Sequence, residues 1–342
     1  VMLLGNLSNS ISSGINKHRD AHGQYPVFGS TGIIGYSSTY EYEGPVILVA
    51  RVGANAGTLN FASGQYDVSD NTLIITIKQN VYDYNFAYNQ LTHYKLNKLV
   101  FGSGQPLITS KQLKNIRIPV PPLAEQRKIA EVLGVWDKAI EKQARLIEKL
   151  ALRKRALMQR LLSAKLRLPG FSEPWKKVKL GDVAELYQPQ TIQSEDLSQT
   201  GYPVYGANGL IGYYNNYNHE YPQVVITCRG SSCGTVNFTP GKCWITGNAM
   251  VLNVDNNRDV NKSFFYYLIS NSSFVNLISG SGQPQIVRQP LLKFELRIPP
   301  LKEQTAIAEV LTAADREIDL AKEKLERLRR QKRGLMQQLL TG

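Results

Sequence analysis

Three segments of this chain occur twice at nearly one offset. Pro26-Val27-Phe28-Gly29-Ser30-Thr31-Gly32-Ile33-Ile34-Gly35-Tyr36 returns as Pro203-Val204-Tyr205-Gly206-Ala207-Asn208-Gly209-Leu210-Ile211-Gly212-Tyr213. Gly57-Thr58-Leu59-Asn60-Phe61 returns as Gly234-Thr235-Val236-Asn237-Phe238, and Gly102-Ser103-Gly104-Gln105-Pro106 as Gly280-Ser281-Gly282-Gln283-Pro284. The spacing is 177 or 178 residues each time, so a whole domain is copied, and 342 residues suffice for two cores. The offset of 178 persists into the stretch after each copy, where residues 123–163 match 301–341 at 19 of 41 positions. These later stretches are more alike than much of what precedes them, the pattern of a shared frame with divergent working ends.

The first part of each copy reads as β-rich. Short β-branched runs at residues 45–50, 72–77, 223–228 and 249–254 are separated by Gly, Asn, Ser and Pro clusters. One helix is expected in each copy, over 84–99 and 262–278. The glycines at 29, 32, 35 and 206, 209, 212 are expected to hold turns; they lack the Gly-x-Gly-x-x-Gly spacing and the strand-to-helix context of a dinucleotide site. Most of the 18 tyrosines fall in these two regions and are assigned to cores first, recognition surfaces second.

The second part of each copy is a heptad helix. Apolar positions step by four and three through Ile129, Leu133, Trp136, Ile140, Gln143, Ile147, Leu150, Lys154, Leu157 and Leu161. The same steps give Ile307, Leu311, Ala314, Ile318, Ala321, Leu325, Leu328, Lys332, Leu335 and Leu339, a coiled-coil seam in both. Lys154 and Lys332 stand at equivalent seam positions and are expected to snorkel to solvent. A helix of about 40 residues is about 60 Å long, whereas a domain of about 125 residues has a radius of gyration near 14 Å. The second β-rich domain starts where the first helix ends and ends where the second helix starts, so the helices are expected to run antiparallel. The expected fold class is α+β: β-rich domains at residues 1–120 and 166–298, separated by a long antiparallel two-helix coiled coil built from 121–165 and 299–342, with an internal pseudo-twofold repeat.

Forty Lys and Arg against 27 Asp and Glu leave a net charge of +13, which favours a polyanionic partner. The excess is uneven. Residues 121–170 hold 12 basic and 5 acidic groups, whereas 1–120 hold 9 and 6, so the β-rich domains are not generic polycations. Cys228, Cys233 and Cys243 lie only in the second copy, with spacings unlike paired zinc ligands even if His219 is added; buried free thiols and no metal are expected. No apolar run approaches the length of about 18 residues that spans a bilayer, and no signal-peptide pattern opens the chain, so a cytoplasmic protein without membrane contact is expected.

Ile118-Pro119-Val120-Pro121-Pro122-Leu123-Ala124-Glu125-Gln126, followed by Ile129-Ala130-Glu131-Val132-Leu133, has a second copy from Ile298-Pro299-Pro300-Leu301-Lys302-Glu303-Gln304. With the two Gly-Ser-Gly-Gln-Pro stretches, and Leu168-Pro169-Gly170-Phe171 running into Trp175-Lys176-Lys177-Val178-Lys179-Leu180-Gly181-Asp182, the chain resembles the specificity subunit of type I restriction-modification enzymes over nearly its whole length. The resemblance implies that each β-rich domain is a target recognition domain reading half of an asymmetric, bipartite double-stranded DNA site. It implies a helical spacer on which two methyltransferase subunits dock, with restriction motor-nuclease subunits joining. S-adenosylmethionine, ATP and Mg would then belong to those partners, the chain having no cofactor of its own. The first copy opens at Val1-Met2-Leu3-Leu4-Gly5 without the tryptophan seen at Trp175, so its N-terminal strand or a helical lead-in is expected to be absent or abbreviated.

Groove readout uses Arg or Lys on guanine and Asn or Gln on adenine. Turns that carry such groups beside glycine supply the candidates: Arg51 and Asn55 in the first copy, Arg229, Ser231 and Ser232 in the second. Lys17, His18 and Arg19 form a basic cluster of the first copy alone, and Arg288 is a further candidate. Gln105 and Gln283 recur in both copies, which favours backbone positioning over base discrimination. Catalytic residues are not expected, since the chain carries no methyltransferase Asn-Pro-Pro-Tyr motif, Walker loop or His-Glu-x-x-His. The alternative reading is a scaffold with two β-rich protein- or glycan-binding modules on a coiled-coil rod.

Overall fold

The computed structural model describes residues 1–341 apart from 17, 18, 21, 103, 207, 208 and 281, so the candidates Lys17 and His18 lie outside the described residues. The chain divides into two compact units, Val1–Arg145 with Glu323–Gly342, and Leu146–Lys322. Each unit combines one β-rich domain with a part of both long helices.

In the first unit a four-stranded antiparallel sheet has the order Ser8–Ser13, Thr72–Ile77, Val46–Ala50, Leu59–Ala62. A second sheet has the order Gly32–Ser37, Tyr25–Gly29, Gln65–Val68, Tyr42–Glu43, with Tyr25–Gly29 and Gln65–Val68 parallel. Strand Val46–Ala50 is buried throughout because its two faces serve two cores. Ile47 and Val49 join Leu73, Ile75, Phe86 and Leu91, whereas Val46 and Leu48 join Tyr66, Val68 and Ile74. This is why the stretch reads as an unbroken apolar run rather than an alternating one.

The second unit repeats the plan. One sheet runs Glu185–Tyr187, Ala249–Asn253, Val224–Thr227, Val236–Phe238, and the other runs Gly209–Tyr214, Tyr202–Gly206, Trp244–Ile245, again with a parallel pair, Tyr202–Gly206 beside Trp244–Ile245. Val224 and Ile226 face the larger core and Val225 the smaller. Each unit also carries a short pair that ties its beginning to the strand before its long helix. Lys176–Lys179 pairs with Glu295–Ile298 over four residues, and Met2–Leu3 pairs with Arg117–Ile118 over two. Trp175 packs edge-on against Phe264 at 6.2 Å.

The domain helices are shorter than the apolar pattern predicts. They span Tyr84–Tyr94 and Lys262–Ser270, each followed by a separate 3-10 turn, Leu96–Leu99 or Val275–Leu277. Lys95, at φ +59°, enters the left-handed region and ends the first. Side chains cap both N-termini: Asp83 accepts from the backbone of Asn85 and Phe86, and Asn261 from that of Phe264.

The long helices, Leu123–Leu161 and Leu301–Leu340, each follow a Pro-Pro pair. A buried amide fastens each to its domain. Gln126 Nε2 donates to Val81 O at 2.9 Å and Pro121 O at 2.8 Å, and its Oε1 accepts from Asp83 N at 2.9 Å. Gln304 reproduces the set with Asp259 O, Pro299 O and Asn261 N, each at 2.9 Å. Beside it, Arg167 forks onto the buried Glu303 carboxylate at 2.6 and 2.8 Å, whereas the equivalent Glu125 is exposed.

Within each unit the helix parts share a core. Ile129, Ala130 and Leu133 join Met336 and Leu340 in the first unit; Leu161 joins Ile307 and Leu311, and Leu150 joins Ile318 and Ala321, in the second. The seam lysines do not snorkel to solvent. Lys332 Nζ binds Asp137 at 2.6 and 2.7 Å, and Lys154 binds Asp315, which also accepts from the Tyr267 hydroxyl at 2.7 Å. Carboxylates at equivalent positions draw both ammonium groups inward, leaving the lysines 14% and 20% exposed. Among the described residues no helix is long and apolar enough to cross a membrane.

The cysteines are free; Cys228 and Cys243 are buried, and burial pushes the Cys228 thiol up to about 11. His219 is occupied on both ring nitrogens, Nε2 by the Tyr187 hydroxyl at 2.9 Å and Nδ1 by Asn218 Oδ1 at 2.6 Å. Burial holds its pKa below the ordinary 6.5.

Two outcomes follow from these contacts. Gln126→Ala and Gln304→Ala strand a backbone donor and two carbonyls, and each is expected to cost about 2–4 kcal/mol in urea unfolding. An unfolded chain protonates His219 near 6.5 while the folded one resists, so stability is retained above that pH and lost as pH falls through the folded pKa. The slope is at most about 1.4 kcal/mol per pH unit; His219→Gln should flatten it in denaturation measured from pH 7 to 5.

Candidate nucleic-acid interface

In each unit the strand common to both cores ends in a turn whose backbone is satisfied internally. In the first, Gly57 N donates to Ala50 O at 2.8 Å, Ala56 N to Gly53 O at 3.0 Å and Thr58 N to Asn55 O at 2.9 Å. A second loop closes on this turn, with Gly53 N donating to Pro106 O at 2.8 Å and Ile108 N to Arg51 O at 2.9 Å. Gly102, Gly104, Gln105 and Pro106 of the repeated motif belong to this second loop. Gly102 has φ +100°, and a Cβ there would lie 2.8 Å from Gln105 O. Gly57, at φ +86°, would bring a Cβ to 2.6 Å from Asn97 N.

The second unit repeats the joints. Gly234 N donates to Thr227 O at 2.9 Å, Gly230 N to Pro284 O at 3.0 Å and Ile286 N to Cys228 O at 3.0 Å. Gly280, at φ +90°, would bring a Cβ to 2.6 Å from Gln283 O. The fold therefore gathers Arg51, Asn55 and Gln105 into one loop pair, and Arg229, Ser231, Ser232 and Gln283 into the other. Asn55, Gln105, Arg229, Ser231 and Gln283 are exposed, and Arg51 and Ser232 half-buried.

The two arginines are not equivalent. Cys228 occupies the place of Arg51: Arg51 N donates to Asn71 O at 2.9 Å and Cys228 N to Asn248 O at 3.0 Å, and each carbonyl receives the N–H of Ile108 or Ile286. Arg229 occupies the place of Val52, since Val52 bridges Leu107 and Arg229 bridges Gln285. One residue along an extended strand reverses the face of the side chain. Arg51 reaches Ser13 Oγ at 3.2 Å, across to the edge strand, while Arg229 projects from the turn and Cys228 joins the core. Ser13, Asn71 and Asn248 are orienting groups that sequence reasoning missed; the only signal is that Asn71 and Asn248 stand at the repeat offset.

The remaining candidates lie elsewhere. Arg19 donates to Asn16 Oδ1 at 2.8 Å and lies over Gly35, where a Cβ would meet its Cδ at 2.8 Å. Arg288 opens the short helix Arg288–Leu292 and lines a groove of about 670 Å³ together with Arg258, Asp182, Glu185 and Asp259.

A family model described as "Type I restriction modification DNA specificity domain" matches residues 9–151 and 172–330, one match per copy. The chain is 25% identical over 340 residues to the type I restriction enzyme MjaVIII specificity subunit of Methanocaldococcus jannaschii, covering 86% of this chain and 78% of that one. The crystal structure of a type I restriction-modification S subunit from M. genitalium shares the fold, with a TM-score of 0.69 at 20% identity over 99% of this chain and 95% of that one. A chain from a structural study of type I complex assembly and conformational transition aligns at a TM-score of 0.58 and 19% identity, over 99% of this chain and 96% of that one. The resemblance carried by the proline, Glu-Gln and Gly-Ser-Gly-Gln-Pro motifs therefore holds, and the chain belongs to the specificity-subunit family of type I restriction-modification systems, with two copies of its DNA specificity domain.

Proposed function

We propose that the chain binds an asymmetric bipartite site on duplex DNA, one half per β-rich domain, and positions two methyltransferase subunits and the motor-nuclease subunits without catalysing a reaction itself. The observation that carries this reading is the offset arginine. Two turns of the same backbone construction present their cation one residue apart, on opposite strand faces, beside Asn55 in one and Ser231 and Ser232 in the other. Copies kept alike to bind one common ligand would keep the cation in one place. Arg and Asn are groups that discriminate base edges in the major groove, and moving them changes which edge is met.

The domain plan proposed with this function is recognition over 1–120 and 166–298, and spacing over 121–165 and 299–342. An antiparallel helix pair is supported inside each unit, where residue numbers rise along one helix part as they fall along the other: Leu133 and Asp137 against Met336 and Lys332, Leu150 and Lys154 against Ile318 and Asp315. Such a pair, with a pseudo-twofold relation between the copies, makes the helices a spacer. Recognition patches about 10 base pairs apart meet the same face of the duplex, and a rod of about 60 Å sets an upper bound of about 17 base pairs. S-adenosylmethionine, ATP and Mg are assigned to the partner subunits, and the complex to the cytoplasm.

Co-expression with the methyltransferase subunit, followed by sequencing of methylated adenines, should give a gapped, asymmetric motif; a single uninterrupted palindrome would contradict the reading. Arg51→Ala and Arg229→Ala should each relax one half of that motif and leave the other intact. Each loses about 1–3 kcal/mol of discrimination, measured by competition between matched and substituted duplexes.

A further inference from the structure

Both units expose the same pair of aliphatic side chains. Ile33 and Ile34 are 53% and 39% exposed, and Leu210 and Ile211 are 51% and 49% exposed. Each pair lies on the hairpin strand at the edge of its sheet, Gly32–Ser37 or Gly209–Tyr214, at a β-bulge that leaves Ile34 and Ile211 out of the pairing and breaks the strict alternation of faces. The repeated glycines build this feature. Gly32 and Gly209, at φ +98° and +103°, open the two strands in the left-handed region, and Gly29 and Gly206 leave the space that Ile34 and Ile211 cover; a Cβ on them would come within 2.6 and 3.0 Å of those side chains. Glycines that support consecutive exposed aliphatics in both copies serve a surface rather than a core.

The hairpins are continuous with the turns that carry the arginines. Ser30 Oγ donates to Asn71 O at 3.4 Å, the carbonyl that also receives Arg51 N. In the second unit Thr246 N donates to Tyr205 O on the hairpin, two residues before the Asn248 carbonyl that holds Cys228 beside Arg229. The residue lying on the hairpin differs between the units: Arg19 over Gly35 in one, Leu197 over Gly212 in the other.

We propose that the Ile33-Ile34 and Leu210-Ile211 hairpins are apolar wedges that enter a groove of the duplex at each half-site and bend it, with base discrimination left to the groups around them. The inference rests on the DNA-binding reading above. Aliphatic side chains carry no donor or acceptor, so an inserted pair is tolerant of sequence and serves two unlike half-sites equally, as wedges in architectural DNA-binding proteins do. The groups that differ around the wedge, Arg19 against Leu197 and Arg51 against Arg229, are where the half-sites diverge.

The test uses the full chain assembled with its methyltransferase subunits, on a duplex bearing the motif methylated by the unaltered complex. Ile33→Ser with Ile34→Ser, and separately Leu210→Ser with Ile211→Ser, should weaken binding about 10- to 100-fold. They should also reduce the bend reported by energy transfer between labels at the duplex ends. The methylated motif and the subunit stoichiometry should stay as they were, and Ile33→Leu with Ile34→Leu should restore affinity and bend. Unchanged affinity and bend would overturn the proposal, as would loss of the methyltransferase subunit with DNA contact otherwise retained, which would make the hairpin a protein-docking surface. If the unaltered complex shows neither salt-sensitive duplex binding nor a gapped motif, the DNA-binding reading itself falls, and the wedge with it.

Discussion

The attachment of each long helix to its β-rich domain depends on one buried amide. Gln126 and Gln304 each make three backbone hydrogen bonds, reaching both the Pro-Pro entry of their own helix and the segment leading into the domain helix. A primary amide offers donors and an acceptor at one site, and an uncompensated buried polar group is costly, so the angle at which the helix leaves its domain is defined by hydrogen-bond geometry rather than by apolar contact alone. Hydrophobic packing on either side then follows, with Ile129 and Leu133 on the core of one unit and Ile307 and Leu311 on that of the other. A frame of this kind can be copied with little change while the surfaces it carries diverge.

That divergence is concentrated where the backbone is most alike. The paired loops of the two units share their hydrogen bonds and positive-φ glycines, yet the arginine moves by one residue and thereby from one strand face to the other. A fully satisfied, glycine-supported turn tolerates this exchange because its conformation does not depend on the side chains it presents. Cys228 shows the converse: with the cation displaced to Arg229, the vacated inward position becomes part of the hydrophobic core. The second unit's cysteines and histidine are thus accounted for by packing and by hydrogen bonds to Tyr187 and Asn218.

Much of the fold is legible in the sequence. The repeat offset located equivalent loops, the β-branched run at 45–50 marked a strand, and the heptad steps marked helices that extend over Leu123–Leu161 and Leu301–Leu340. Other features were misread because their causes lie far away in sequence. Lys154 and Lys332 looked like solvent-seeking seam residues, but Asp315 and Asp137, 161 and 195 positions distant, hold them inward. The domain helices looked longer because the apolar pattern continues past Lys95 and Asn271, where Leu96 in the first 3-10 turn and Phe274 just before the second are still buried. The candidate turns could be identified by composition, whereas Ser13 and Asn71, which orient Arg51, carry no local mark.

By itself the sequence determined that the chain is a duplicated β-rich domain with a heptad helix, which family it belongs to, and which two turns combine glycine with polar groups. These are one-dimensional signals: an offset, a period and a local composition. Tertiary structure alone decided that the loops of each unit close into one surface and that the exposed hairpin adjoins it. It also decided which face each arginine takes. The reason is physical: a strand reverses its side chains at every residue, so the direction of a cation depends on pairing register, and register is set by hydrogen bonds to residues tens of positions away.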